Sequence, residues 1–199
     1  MENKLDLPYP ICVFISEAAL ATIKHSTIEV YSRQGTEWGG LLWGECFAHP
    51  AGGVVPVVVF ATNGICRATP ASCDILPASW DAGERELNAQ GLTELRCLGD
   101  YHSHPKMGVF LSEHRDVPSF WSCGHIPHWL SMVVDPWHND YGVFTKNSPH
   151  TLHRIQTFLI SQRILQALRL PEPVTASLLN QGPQPSPTGG TRYGQHGSE

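Results

Sequence analysis

The chain contains little charge and no concentration of either sign. Lys, Arg, Asp and Glu together make up 16% of its 199 residues, whereas an average soluble domain has about 25%. The 13 basic and 18 acidic residues give a formal net charge of -5. Nucleic-acid binding depends on neutralising phosphates with clustered Lys and Arg, and the sequence has no such cluster. We therefore expect no nucleic-acid partner.

Long apolar runs are also missing. The longest strongly apolar run is the eight residues from Val54 to Ala61, and it contains Pro56. A membrane-spanning helix needs about 20 apolar residues. The first eight residues lack the apolar segment of a secretory signal. We expect a soluble, cytoplasmic protein with no membrane partner.

The cysteines do not form a recognisable metal motif. There are six of them, and none is paired at the C-x-x-C spacing of zinc ribbons and redox motifs. In an intracellular chain of this length, scattered cysteines are typical of buried apolar thiols. The cysteines therefore predict neither a thiolate zinc site nor a disulfide framework.

Hydrophobic periodicity predicts one domain that mixes strands and helices, over residues 1–170. This pattern favours the α/β (α+β) class. The remaining residues, 171–199, are rich in Pro and Gly and predict a disordered tail. The predicted strands are 11–15, 37–47, 54–65, 95–104, 129–134 and 141–146, and the predicted helices are 17–32, 80–89 and 152–170.

Two histidines at the end of a predicted strand carry the strongest chemical signal. His102 and His104 project from the same face, because alternate side chains of a strand share a face. Two imidazoles there need polar partners, and one metal ion would satisfy both. Asp100 lies on the same face, where it could orient an imidazole or simply end the strand. Pro105 stops the strand directly after the pair.

The histidine pair belongs to a larger pattern. Glu37 precedes the glycine-rich strand 39–42, the motif His-Ser-His-Pro occupies 102–105, and Leu-Ser follows at 111–112. In this order, the three features resemble the JAMM/MPN+ zinc metalloprotease family, over residues 11–147. The resemblance implies the MPN/JAB fold, a central mixed β-sheet flanked by helices that is cytidine-deaminase-like.

The resemblance also implies an activity and its residues. Zn²⁺ would be held by His102, His104 and Asp116, with Glu37 as the general base and Ser112 as a donor to the oxyanion. The family includes isopeptidases that remove ubiquitin and its relatives, and bacterial stand-alone members that accompany ubiquitin-like conjugation systems. The implied partners are the C-terminal tail of a ubiquitin-like protein, its conjugates, and the E1- and E2-like enzymes of the same system.

The third ligand departs from the family spacing. The family places an aspartate three residues after the serine, where this chain has Arg115, and a guanidinium offers no lone pair. Asp116 is one residue further on, which in a regular helix turns its side chain by about 100°. Pro118 disfavours a regular helix that starts at Ser112. A wider turn, or a helix that begins near Asp116, would bring the carboxylate back to the metal.

Alternatives remain open for the ligand and for the activity. Glu113 and His114 could replace Asp116 as the third ligand. The chain could instead be a catalytically inactive scaffold of the same family, or an interaction module that binds through its Pro-rich tail. It could also be a hydrolase that processes a sulfur-carrier protein or a small amide.

Overall fold

The structure is a computed structural model that describes residues 9–50, 52–123 and 125–171. The predicted tail, 171–199, lies outside the described residues apart from Pro171. Nine strands and four helices occur within the described residues, and none of these helices is long and apolar enough to cross a membrane. The strands are β1 (Cys12–Ser16), β2 (Gly39–Ala48), β3 (Val54–Asn63), β4 (Cys66–Thr69), β5 (Ser72–Ile75), β6 (Arg96–Ser103), β7 (Leu130–Asp135), β8 (Asp140–Ser148) and β9 (Thr151–Ile160). The helices are α1 (Glu17–Gln34), α2 (Ala78–Gln90), α3 (Asp116–Ser122) and α4 (Gln162–Ala167).

Seven strands form one mixed sheet that closes into a barrel, in the order β1, β3, β2, β6, β7, β8 and β9. The barrel closes because β9 pairs with both β8 and β1. β1 is parallel to β3 and β9, and β6 is parallel to β7, whereas the other neighbours are antiparallel. β4 and β5 form a separate two-stranded hairpin. β6, which carries the histidine pair, therefore lies between β2 and β7 in the barrel wall.

The predicted fold class was wrong. The sequence predicted an α/β (α+β) domain with the MPN/JAB fold, a central mixed sheet flanked by helices and cytidine-deaminase-like. The structure is instead mostly strands, and its main sheet closes on itself as a barrel of seven strands. Apart from α1, which has 18 residues, the helices are short.

The error is concentrated in one segment. The sequence predicted a helix over 152–170, because its apolar residues recur at helical spacing. The chain forms β9 there, and only α4 is helical. Ile155 of β9 pairs with Val143 of β8, and Phe158 pairs with Phe14 of β1. Because both edges of this segment meet a partner strand, tertiary pairing outweighed the local helical pattern.

Several local predictions were confirmed. The predicted strands over 37–47 and 54–65 are β2 and β3, which form an antiparallel hairpin. The predicted helix over 17–32 is α1, and Ser16 caps it by accepting a hydrogen bond from the backbone N–H of Ala19 at 3.0 Å. The helix ends at Gly35, which adopts the left-handed conformation with φ of 68°. Capping residues were therefore reliable guides to where this helix begins and ends.

Both faces of the sheet bury apolar side chains. One core cluster lies between the sheet and α1 and includes Leu42 of β2 and Tyr101 of β6. The other lies on the opposite face and joins Trp43 of β2 to Leu87 of α2 and Leu165 of α4. Since β2 and β6 are covered on both faces, the end of β6 is attached to a rigid support.

Truncation of two β9 residues should distinguish the strand from the predicted helix. Ile155 is 5% exposed and Leu159 is 49% exposed in the strand, whereas the helical pattern places both on one apolar face. We expect Ile155→Ala to lower the free energy of unfolding by about 2–5 kcal/mol, and Leu159→Ala to lower it by less than about 1 kcal/mol. Urea denaturation measures both values. Equal losses would contradict the strand.

Candidate metal centre

The histidine pair lies where β6 is held from both sides. His102 pairs with Gly39 of β2 and with Val133 of β7. The backbone N–H of His104 donates to the carbonyl of Val134 at 2.8 Å. The two rings are 6% and 4% exposed. The backbone therefore restricts where both imidazoles can lie, and little water reaches them.

Asp116 is the first residue of α3. Of the two local structures that Pro118 predicted, the structure has the helix that begins near Asp116. The proline is the third helical residue, where its missing N–H costs no helical hydrogen bond. The backbone N–H of Ser112 donates to Asp116 Oδ2 at 2.7 Å, and the backbone N–H of Asp116 donates to Ser112 Oγ at 3.1 Å. These reciprocal bonds orient the carboxylate towards the histidines.

Three side chains converge on one point. The Nε2 atoms of His102 and His104 are 3.1 Å apart. Asp116 Oδ1 is 3.5 Å from His102 Nε2, and Asp116 Oδ2 is 3.4 Å from His104 Nε2. A tetrahedral metal with ligand bonds of about 2.0–2.1 Å holds its ligands about 3.3–3.4 Å apart. The observed spacing fits that requirement, so this group of three could hold a metal ion.

The electrostatics of the group favour a cation. Desolvation acts to raise the pKa of Asp116, but contacts with His102 and His104 outweigh it and hold the pKa well below its ordinary value. Desolvation acts to lower the pKa of His102, and the nearby carboxylates, Asp116 first, raise it overall. The ionised carboxylate of Asp116 gives the group a local negative charge next to two imidazoles, and a bound metal ion would neutralise that charge.

Glu37 lies two residues before β2 and is 2% exposed. Its backbone N–H donates to the carbonyl of Thr69 in β4 at 2.9 Å. The next residue, Trp38, exchanges two hydrogen bonds with Ser103, at 2.8 and 2.9 Å. Burial raises the pKa of Glu37, and attraction to the imidazoles of His104 and His102 opposes part of that rise. A buried carboxyl therefore lies within electrostatic reach of both histidines.

The glycines after Glu37 allow the strands to approach closely. A Cβ atom on Gly39 would lie 2.5 Å from the carbonyl oxygen of Tyr101, and one on Gly40 would lie 2.0 Å from that of Thr62. Neither position can accept a larger residue without moving the backbone. Close approach of the backbones therefore explains why this strand is rich in glycine.

Ser112 retains a hydroxyl proton for a ligand. Its Oγ accepts the bond from the Asp116 N–H, and an accepting hydroxyl can still donate one hydrogen bond. The side chain is half-buried beside the carboxylate. The rival ligands Glu113 and His114 are exposed, and neither belongs to the metal-binding group found among the described residues.

Asp100 has partners other than the histidines. Its Oδ1 accepts a bond from Ser131 Oγ at 2.7 Å, and its Oδ2 accepts one from Trp129 Nε1 at 3.0 Å. Burial raises its pKa, while the charge of His102 and these two bonds oppose the rise. Asp100 therefore accepts its hydrogen bonds from Ser131 of β7 and from Trp129, directly before β7, rather than from an imidazole.

The sequence did not predict two features that hold the backbone of the site in place. The hairpin of β4 and β5, which holds Glu37 through Thr69, lies between the predicted strand 54–65 and the predicted helix 80–89, where no element was predicted. The second support is Asp135, which directly follows the predicted strand 129–134. Its carboxylate accepts bonds from the backbone N–H groups of Lys106 at 3.1 Å and Gly108 at 2.9 Å, in the loop after the histidines. An aspartate before a proline is a known turn signal that could have indicated it.

Comparison with known proteins adds no family assignment. No protein-family model matches the chain, and no curated protein matches it either. The resemblance found in the sequence therefore depends on the motif residues alone. Any functional conclusion must come from the chemistry of the site.

Removing single ligands should identify the metal-binding group. We expect the wild-type chain to retain about one divalent metal ion after loading and dialysis, because three ligands converge. His102→Ala and Asp116→Ala should lose most of this metal. Glu113→Ala and His114→Ala, matched controls on the same loop, should retain it. Elemental analysis per chain gives the answer, and loss of metal in His114→Ala but not in Asp116→Ala would contradict the assignment.

Asp135 should make stability depend on acid pH. Burial acts to raise its pKa, but hydrogen bonds from His138, Gly108 and Lys106 lower the pKa to about 2. The unfolded value is about 3.9, so Asp135 stabilises the fold above pH 4 and loses this contribution as the pH falls from about 4 to 2. The effect is about 2 kcal/mol.

Asp135→Asn should flatten this part of the pH profile. The free energy of unfolding, measured by urea titration at several pH values, reports the slope. The exposed Glu94→Gln variant serves as the control and should keep the wild-type slope. An unchanged slope in Asp135→Asn would show that the carboxylate does not hold the loop through its charge.

Proposed function

We propose that the chain is a zinc-dependent isopeptidase or peptidase that cleaves after the C-terminus of a ubiquitin-like protein. The observation that carries the proposal is the convergence of His102, His104 and Asp116 next to the buried Glu37. Two imidazoles and one carboxylate form the typical ligand set of a catalytic zinc site, which keeps a fourth position open. A mixed set of nitrogen and oxygen donors with no thiolate also suits this role.

The residues around the ligands fit hydrolysis of an amide. Zinc bound at this group would polarise the scissile carbonyl and lower the pKa of a bound water to about 7. Glu37 would accept the proton of the attacking water and later donate it to the leaving amine. Its raised pKa places it closer to neutral pH, as a group that accepts and returns a proton requires. Ser112 would donate its hydroxyl proton to the developing oxyanion.

The proposed substrate is an extended C-terminal tail joined to a precursor extension or to a target lysine. Two features support it: the motif resemblance to isopeptidases, and the small hairpin of β4 and β5 beside Glu37. This hairpin forms a two-stranded sheet, and an extended peptide can bind such a sheet by adding a strand to its edge. E1- and E2-like enzymes of the same conjugation system are the further partners that this function entails.

Variants of the two catalytic residues should separate catalysis from metal binding. Glu37→Gln should lower kcat up to about 10⁴-fold, because general acid–base catalysis contributes about 10²–10⁴-fold. Ser112→Ala should lower kcat about 10²–10³-fold, the usual cost of one oxyanion donor. Both variants should retain metal, because Ser112→Ala keeps the backbone N–H that donates to Asp116 Oδ2. The assay follows cleavage of a fusion between a ubiquitin-like protein with an extended C-terminal tail and a reporter domain.

Glu113→Gln is the matched control, since it removes an exposed carboxylate from the same loop. It should cleave at the wild-type rate. Two results would contradict the proposal: an intact fusion after long incubation with metal-loaded wild-type protein, or full activity in Glu37→Gln.

A further inference from the structure

A small cavity lies directly beside the metal centre. Its volume is about 250 Å³, and His102 and Asp116 form part of its lining. Residues of β5, α2, α3 and β7 form the rest. Sites for drug-sized ligands usually enclose about 300–1,000 Å³. The cavity therefore suits a single side chain rather than a whole cofactor.

Asp100 is one of the residues that line this cavity. The two groups that bind its oxygens, Ser131 Oγ and Trp129 Nε1, belong to residues only 4% and 1% exposed. Each carboxylate oxygen has about two lone pairs, and each of these donors uses one. Acceptor capacity therefore remains on a carboxylate that lines the cavity and that neither the ligand set nor the proposed catalysis uses.

The cavity walls combine apolar and hydroxyl groups. Trp80, Phe120 and Ile75 contribute apolar surface. The ring of Trp80 stacks on Trp129 with centroids 6.3 Å apart, which fixes one wall next to Asp100. An aliphatic stem can bury itself against such surface while its polar end reaches a charged group.

Outside the metal centre, Asp100 is the one charged residue of the described cavity lining that is not exposed. Asp74 and Arg115 also line the cavity, but both residues are exposed and their charges are opposite. Arg115 is the one Lys or Arg among the described residues that line it. The remaining titratable groups are His102 and Asp116, which belong to the metal centre at its boundary, and the thiols of Cys73 and Cys123. A hydrogen bond with Cys66 raises the pKa of Cys73 and burial raises that of Cys123, so neither thiol brings a charge. An occupant with a positive end is therefore favoured beside Asp100.

We propose that this cavity is a specificity site for a lysine or arginine side chain next to the scissile bond, with Asp100 as the counter-ion. Asp100 and His102 are two residues apart on β6, so their Cα atoms are separated by about 7 Å. A long cationic side chain that reaches Asp100 leaves its own backbone near the metal centre. The substrate preference rests on the proposed hydrolase function, whereas binding of the cation does not.

A binding experiment tests the cavity without any reaction. The probe is n-butylguanidinium, and n-butylurea is its neutral isostere, so the pair differs in charge and hardly in shape. Titration into the metal-loaded chain is followed through the indole N–H resonance of Trp129, which donates to Asp100. We expect a saturable shift with the guanidinium and none with the urea. Equal shifts with both, or no shift with either, would overturn the inference.

Asp100→Asn is the informative variant. Its amide oxygen can still accept from Trp129, and its amide group can donate to Ser131, so only the charge is removed. We expect at least a tenfold weaker affinity for n-butylguanidinium, with bound metal unchanged. Asp74→Asn, a matched removal of an exposed charge from the same cavity, should change the affinity less than twofold. Equal affinities in wild type and Asp100→Asn would overturn the inference.

A substrate experiment extends the test to specificity. Three fusions of the ubiquitin-like tail differ only in the residue after the scissile bond, which is lysine, arginine or norleucine. We expect kcat/KM to be at least tenfold higher for the two cationic residues, and this preference to disappear in Asp100→Asn. Equal cleavage of all three overturns the inference and leaves the proposed function intact. If none is cleaved, the proposed function fails and the guanidinium titration alone decides the cavity.

Discussion

Two hydrogen bonds between Ser112 and Asp116 determine the chemistry available at this site. They join a residue before α3 to the first residue of that helix, and they turn its carboxylate towards the histidine pair. Without them, the side chain of Asp116 would be free to rotate away into solvent, since the residues just before it are exposed. The same bonds leave the Ser112 hydroxyl next to the metal-binding group. One local contact thus places a candidate ligand and a hydroxyl group side by side.

The barrel holds the other residues of the site in fixed positions relative to this contact. β6 is paired with β2 and β7 along its length, so the histidines at its end have little freedom. Glu37 is held by the hairpin of β4 and β5, and Asp135 binds the loop that leads from the histidines to α3. The histidine pair, Asp116 and Glu37 are therefore held by three separate backbone supports. Such separate supports are what a preorganised site requires.

The sequence predicted the site better than the fold, and for a physical reason. The histidine pair follows from the alternation of a strand, and the start of α3 follows from the constraint that Pro118 imposes. Both are local rules. Barrel closure is not local: Ile155 and Phe158 fit a helical spacing and also fit a strand. β8 is the neighbouring strand in sequence, but β1, whose pairing with β9 closes the barrel, is distant in sequence. The contacts of Asp100 with Ser131 and Trp129 could not be predicted from local rules either, because both partners are distant in sequence.

The central claim is that one metal ion is bound by two imidazole nitrogens and one carboxylate oxygen. X-ray absorption spectroscopy at the zinc edge, on protein purified and loaded with one equivalent of zinc, tests it most directly. The account predicts a first shell of nitrogen and oxygen atoms at about 2.0–2.1 Å, with the outer-shell scattering of two imidazoles and no sulfur. A sulfur shell at about 2.3 Å, or a spectrum without imidazole scattering, would contradict it.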